Sequence, residues 1–123
     1  MTTRVINFDR AHHEAVASGA KRRTIRRVRK GGNPAPGDTL RLWGGLRTRN
    51  ARLLAEAECL SATPCHIETA VPADLVSVSV DGAPVPDLDA FARLDGFDTP
   101  ADMARFWIRI HGPGPWSGIL IEW

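Results

Sequence analysis

A lysine and a threonine lie three residues apart in the segment Gly19–Arg26, directly after a glycine that can end a helix. In an irregular or extended segment, Lys21 and Thr24 can face one cleft. A lysine that loses solvent there, close to other cations, has a reduced proton affinity and can act as a base toward a hydroxyl or a water. A carboxylate from elsewhere would orient it, and the spacing does not identify which one. The alternative is a basic loop in which Thr24 caps a turn.

Positive charge is concentrated around these two residues. Residues 1–58 contain thirteen Lys and Arg against five Asp and Glu, a net charge of +8, whereas residues 59–123 contain three against nine, a net charge of −6. Such a density attracts phosphates, although a solvated face neutralised by the acidic half is the alternative. Tryptophans can stack on bases or pack in a core, and we expect Trp107 in the core. The residues predicted to bind nucleic acid or substrate are Arg22, Arg23, Arg26, Arg27, Arg29, Lys30, Trp43 and Trp116.

Several common catalytic and metal-binding patterns are absent from the sequence. There is no Walker-type or dinucleotide glycine loop, and no serine lies in a nucleophile elbow. Cys59 and Cys65 have one nearby imidazole, His66, so buried structural thiols are favoured over a zinc site. His12 and His13 are neighbours on a predicted helix and point in different directions. We therefore expect neither a metal nor a cofactor.

Length and composition predict one domain over residues 1–123. Apolar residues make up 43% and charged residues 24%, which is typical of a globular chain. No apolar run approaches the roughly 18–20 residues that cross a membrane, and the N-terminus has no secretory pattern. Two cysteines cannot form a disulfide framework. We expect a reduced, cytoplasmic protein with no membrane partner.

The elements that must position Lys21 and Thr24 follow from local signals. A strand around Val5–Phe8 precedes a helix over residues 10–18, with Asp9 as its cap and Gly19 as its end. Residues 31–38 are predicted as a loop with a Pro36-Gly37 turn, followed by a strand over residues 39–43. Residues 51–60 fit a helix or a strand equally well.

The second half adds strands and then helices. Strands are predicted over residues 63–71 and 75–80, joined to a returning segment by an Asp81-Gly82 turn. A short helix over residues 87–94 precedes a helix that begins at Thr99-Pro100. The apolar stripe of that helix is Met103, Phe106, Trp107 and Ile110. An apolar, central strand over residues 119–121 ends the chain. Five to seven strands with two or three helices indicate an α+β fold with a small curved sheet or barrel.

The order of these pieces resembles the ASCH family of the PUA-like superfamily. Members carry a G-x-K-x-x-T-x-R segment after the first helix, and every position of it is filled here. A P-G-D turn that opens a strand follows, and later come an acidic-Gly-Phe segment, an amphipathic helix and a closing strand that ends in an aromatic residue. The matching stretches are Gly19–Arg26, Pro36–Leu40, Asp95–Phe97, Met103–Ile110 and Gly118–Trp123.

The resemblance implies a PUA-like β-barrel flanked by helices, with a cleft that suits RNA or a nucleoside. Some members are amidohydrolases that deacylate N4-acetylcytidine with a lysine, a threonine and an acid, which correspond here to Lys21, Thr24 and Asp95. Where those members carry Glu, this chain has the shorter Asp, and residues 63–85 are expanded. We expect an RNA- or nucleoside-binding domain, and the hypothesis for its activity is an amidohydrolase that acts on N4-acylated cytidine. The alternative that the family offers is a single-stranded RNA-binding module or a ribonuclease.

Overall fold

Two β-sheets and three α-helices are present within residues 2–123, the part of the chain that this computed structural model describes. The class is α+β, as predicted. The strands are β1 Thr3–Phe8, β2 Arg23–Arg26, β3 Thr39–Gly44, β4 Arg52–Glu58, β5 Ser61–Ala70, β6 Asp74–Val80, β7 Ala83–Pro84 and β8 Gly114–Glu122. The helices are α1 His13–Ser18, which follows a 3-10 turn at Arg10–His12, then α2 Leu88–Leu94 and α3 Pro100–His111.

The smaller sheet has the order β1-β3-β4, with β1 parallel and β4 antiparallel to β3. Leu40 and Leu42 of β3 are fully buried, as their alternation with partly exposed neighbours predicts. The 51–60 region, which fitted either element, is strand β4 because its backbone pairs with β3. Local composition could not decide this, since the pairing partner supplies the preference for a strand.

The larger sheet has the order β2-β8-β5-β6-β7. The closing strand β8 pairs with both β2 and β5, which confirms its predicted internal position. Its alternating side chains face two different cores, since Leu120 packs in one and Ile121 in the other. The predicted hairpin turn is confirmed at Asp81 and Gly82, whose φ angles of 53° and 80° are those of a type I′ turn.

The helices agree with the sequence predictions except at the start of α1 and at the end of the apolar stripe of α3. Thr99 caps α3 by accepting a hydrogen bond from the Asp102 amide at 3.1 Å. The 10–18 region is less regular than predicted, because Asp9 caps a 3-10 turn and the α-helix begins only at His13. The stripe of α3 is buried at Met103 and Trp107, but Ile110 at its end is 52% exposed. No helix within residues 2–123 is both long and apolar enough to span a membrane.

Candidate active site

A lysine and an aspartate 74 residues apart meet in the interior. Lys21 and Asp95 are each 3% exposed. The Lys21 Nζ atom lies 3.2 Å from Asp95 Oδ1 and donates a second hydrogen bond, of 2.5 Å, to the Asp95 main-chain carbonyl. The Lys21 ammonium thus contacts two oxygens of the same residue, Asp95. These two contacts fix the direction of the lysine side chain.

The Asp-Gly-Phe segment presents its acid because it ends α2 in a Schellman motif. The Phe97 amide donates to the Ala92 carbonyl at 2.9 Å, and the Gly96 amide donates to that of Arg93 at 3.0 Å. The motif requires a left-handed residue, and Gly96 supplies it with a φ of 92°. A Cβ atom on Gly96 would lie 3.0 Å from His12 Nδ1 and 3.2 Å from Lys21 Cδ. The glycine thus lets α2 approach the lysine closely.

Burial brings the proton affinities of the pair together. It lowers the pKa of Lys21, an effect that Asp95 opposes and Arg26 and Arg23 reinforce. It also raises the pKa of Asp95, although Lys21 opposes this shift. Because the two pKa values approach each other, a proton moves from the amine to the carboxyl at a smaller free-energy cost than in water. The pair can therefore supply the neutral amine that a general base requires.

Thr24 lies on β2, is 5% exposed and is held by a cation. Arg26 Nε donates a 2.9 Å hydrogen bond to Thr24 Oγ1, so the hydroxyl proton remains free to be donated elsewhere. The guanidinium of Arg26 lies 5.0 Å from the ring of Phe8. Burial, together with Arg29, lowers the pKa of Arg26 to about 10, which leaves it protonated at neutral pH. A positive charge at this oxygen favours its deprotonation.

Lys21, Thr24, Arg26 and Asp95 line one cavity of about 410 Å³. Its other wall is largely aromatic and apolar. That wall is formed by Phe8, Phe97, Phe106, Trp107 and Ile110. Ile110 is exposed on α3 because it faces this cavity instead of the core.

His12 also lines the cavity and is a residue to which the sequence assigned no role. It is 7% exposed and packs edge-on against the rings of Phe97 and Phe106, at centroid distances of 5.2 and 5.8 Å. Burial and the charge of Lys21 lower its pKa to about 4, so the imidazole is neutral at physiological pH. A neutral ring can donate and accept hydrogen bonds at its two nitrogens. The sequence feature that could have placed His12 near the site is its position just before the helix that ends at Gly19.

The predicted binding residues divide into two groups. Arg26 and Arg27 line the cavity, whereas Arg29 and Lys30 lie beyond it, with Arg29 donating to the Val5 carbonyl at 2.9 Å. Arg27 and Lys30 are exposed, which leaves them accessible to a phosphate.

Arg22 and Arg23 do not line this cavity, and their binding of nucleic acid or substrate stays a prediction. Arg23 is 8% exposed, stacks 4.1 Å from the ring of Phe91 and donates to the Phe91 carbonyl at 2.6 Å. Arg22 Nε donates to the carbonyl of Trp123 at 3.1 Å. Alternation along β2 turns the Arg23 side chain away from the face that carries Thr24, whereas Arg22 precedes the strand and is tied to the main chain of Trp123.

The two tryptophans predicted to stack on bases lie outside the cavity lining. Trp116 is 9% exposed and packs edge-on against Trp107 at 4.9 Å, and His111 lies beside it at the same distance. It packs in the core, which leaves little of its surface for stacking on a base. Trp43 is half-buried on β3, beside the guanidinium of Arg41 at 5.8 Å. Trp107 is buried, as expected.

Both cysteines are buried, free thiols. Within residues 2–123, no group of three His, Cys, Asp or Glu side chains is arranged to hold a metal ion. No family model matches this chain, and neither a curated protein nor a solved structure is significantly similar to it.

Proposed function

We propose that the chain is an ASCH-like domain of PUA-like architecture that hydrolyses the amide of an N4-acylated cytidine. The convergence of Lys21, Thr24 and Asp95 on one cavity is the observation that carries this proposal. These three positions lie in two distant parts of the sequence. A buried amine, a hydroxyl held by a cation and an orienting acid are the groups that acyl transfer requires.

The reaction begins with the neutral amine of Lys21. It accepts the hydroxyl proton of Thr24 while Thr24 Oγ1 attacks the acyl carbon, and Arg26 stabilises the negative charge that develops on the acyl oxygen. The C–N bond then breaks, and the Lys21 ammonium returns its proton to the departing N4 amine. Water, deprotonated by Lys21, next attacks the acyl-threonine ester. The ester bond breaks, the carboxylic acid leaves, and Thr24 regains its proton. One water is consumed for each cytidine and acid released.

Asp95 acts through Lys21. Its carboxylate and main-chain carbonyl hold the amine toward the cavity and accept its excess proton. The aromatic walls suit a flat heterocycle, because the faces of such rings stack favourably. A volume of about 410 Å³ lies in the range of roughly 300–1,000 Å³ in which small ligands bind. We place the reaction in the cytoplasm, the usual setting for a chain whose two cysteines form no disulfide framework.

The test is the release of cytidine from N4-acetylcytidine by purified protein. We expect Lys21→Ala and Thr24→Val to lower kcat/KM by at least about a hundredfold, since each removes a group that moves a proton or attacks the carbonyl. Arg93→Ala is the matched control, because it removes an exposed cation outside the cavity. A wild-type protein without turnover, or equal turnover by wild type and Lys21→Ala, would contradict the proposal.

A second candidate is a single-stranded RNA-binding module or a ribonuclease. The exposed cations Arg27 and Lys30, next to the cavity residue Arg26, favour it. A module of this kind loses affinity for RNA steeply with salt, with a log–log slope of roughly −0.7 per phosphate neutralised. The turnover of an uncharged nucleoside changes little under the same titration.

A further inference from the structure

A second cavity, of about 720 Å³, adjoins the first. The two share a wall formed by Asn7 and Phe8 at the end of β1. We propose that the second cavity binds the nucleotide adjacent to the acylated cytidine, so that the preferred substrate is an oligonucleotide instead of a free nucleoside. This inference rests on the amidohydrolase function proposed for the first cavity.

The charge around the second cavity fits a phosphate-bearing ligand. Arg10 and Arg52 line it and are both exposed, and Glu14 is the acid in its lining. The loop that borders it, between β3 and β4, adds Arg47 and Arg49. Residues 39–55 contain no aspartate or glutamate. A neutral nucleoside gains little from such a concentration of arginines, whereas a phosphodiester is bound by it.

The walls of the second cavity are held in place by hydrogen bonds. Asn7 Oδ1 accepts the Leu46 amide at 3.0 Å, which ties the arginine-bearing loop to β1. His13 Nε2 lies 2.9 Å from the Phe8 carbonyl, and Thr48 Oγ1 donates to the Gly45 carbonyl at 2.6 Å. Because these hydrogen bonds already order the loop, ligand binding costs less conformational entropy.

The relation between the cavities matches the covalent structure of a strand. Neighbouring nucleotides are joined through one phosphodiester, so their two binding sites must share a border. Asn7 and Phe8 provide that border, with the buried proton-transfer groups on one side and the exposed arginines on the other. The first cavity then selects the modified base, and the second binds its neighbour through charge.

The experiment compares kcat/KM for three substrates of the full chain. They are N4-acetylcytidine, its 5′-monophosphate, and a trinucleotide with N4-acetylcytidine at its centre. We expect the trinucleotide to exceed the nucleoside by about tenfold or more, in the range given by one or two charge-assisted contacts. A monophosphate that reproduces the whole gain would overturn the inference, because a terminal phosphate would then be the group recognised.

Variants locate the effect. Arg10→Ala combined with Arg52→Ala should lower the trinucleotide-to-nucleoside ratio by about tenfold. Arg10→Lys with Arg52→Lys should retain part of it and guards against a folding defect. The matched control is Arg93→Ala with Arg105→Ala, two exposed arginines outside both cavities. A ratio that falls equally in the control would contradict the assignment.

The failure of this inference and that of the proposed function are distinguishable. If the nucleoside is hydrolysed and the trinucleotide is no better, the second cavity is not a nucleotide site and the amidohydrolase stands. If neither is hydrolysed, the amidohydrolase fails. Fluorescence anisotropy of a labelled, unmodified RNA trinucleotide then tests the second cavity by itself. Loss of binding in the Arg10 and Arg52 variant but not in the control supports the site, and equal binding overturns it.

Discussion

His12 and His13 are neighbours in the chain, yet they face different cavities. His12 is nearly buried among aromatic rings beside Lys21, whereas His13 is half-buried and contacts the Phe8 carbonyl at the border of the second cavity. The first cavity encloses the charges of Lys21 and Asp95, and the second exposes those of Arg10 and Arg52 to solvent. Since electrostatic interactions strengthen as water is excluded, the first is suited to moving protons and the second to attracting a charged ligand.

The largest effect should come from breaking the buried pair. Lys21→Met leaves Asp95 without its partner and should lower the free energy of unfolding by about 3–5 kcal/mol. The double variant Lys21→Met with Asp95→Leu should regain most of that stability and remain inactive, because no buried charge is left uncompensated. Urea denaturation measures both.

A cation of the second cavity, replaced by methionine in the same way, provides the comparison with Lys21→Met. Arg10→Met removes an exposed cation and should alter stability by less than about 0.5 kcal/mol. A double variant at Lys21 and Asp95 that is no more stable than Lys21→Met would show that the pair does not behave as a buried ion pair.

The next effect is a pH dependence that belongs to His12. Its folded pKa of about 4 lies below the ordinary 6.5, so the unfolded chain binds the proton first as the pH falls. The contribution of His12 to the free energy of unfolding is fully present above pH 6.5 and is lost as the pH falls from 6.5 to 4. We expect a loss of about 2 kcal/mol, which allows for solvent at the cavity mouth.

His12→Gln should remove this slope. The difference between the wild type and the variant isolates His12, because His111, whose pKa burial also lowers, contributes equally to both. Chemical denaturation at several pH values provides the measurement. Identical slopes in the two proteins would show that His12 is protonated as readily in the folded state as in the unfolded chain.

The smallest effect concerns the helix that walls only one of the two cavities. Thr99→Ala removes the N-cap of α3 and should cost about 1 kcal/mol, while Thr99→Ser should retain the cap. Because Phe106 and Trp107 lie on α3 and line the first cavity, nucleoside turnover should fall near the melting transition. RNA binding measured by anisotropy well below that transition should change less. Equal losses of both would show that α3 supports the whole molecule uniformly.

Local signals were sufficient for most of the elements. The Pro36-Gly37 turn is confirmed by a Gly37 φ of 91°, and the Asp81-Gly82 hairpin and the Thr99 cap are confirmed as well. Each depends on a few adjacent residues whose dihedral angles or hydrogen bonds are set locally. The 51–60 region could not be assigned, since its partner β3 decides its form.

The candidate site required information that no local pattern contains. Lys21 and Thr24 follow from spacing, but Asp95 came from the family resemblance, because 74 residues separate the pair. The burial of Arg23 and Trp116 could not be predicted, for the same reason. Residue type indicated that they could bind a ligand, while the packing of Phe91 and Trp107 against them buried both.

The two sulfur atoms are divided between the two cores. Cys59 packs with Leu40 and Ile121, and Cys65 packs with Ile67 and Leu120, and neither is exposed. Burial raises the pKa of both thiols, that of Cys65 to about 12, so an alkylating reagent can reach them only when the surrounding core opens. The alkylation rate of each cysteine therefore reports how often its own core opens. Comparing the two rates would show which of the two cores opens more readily.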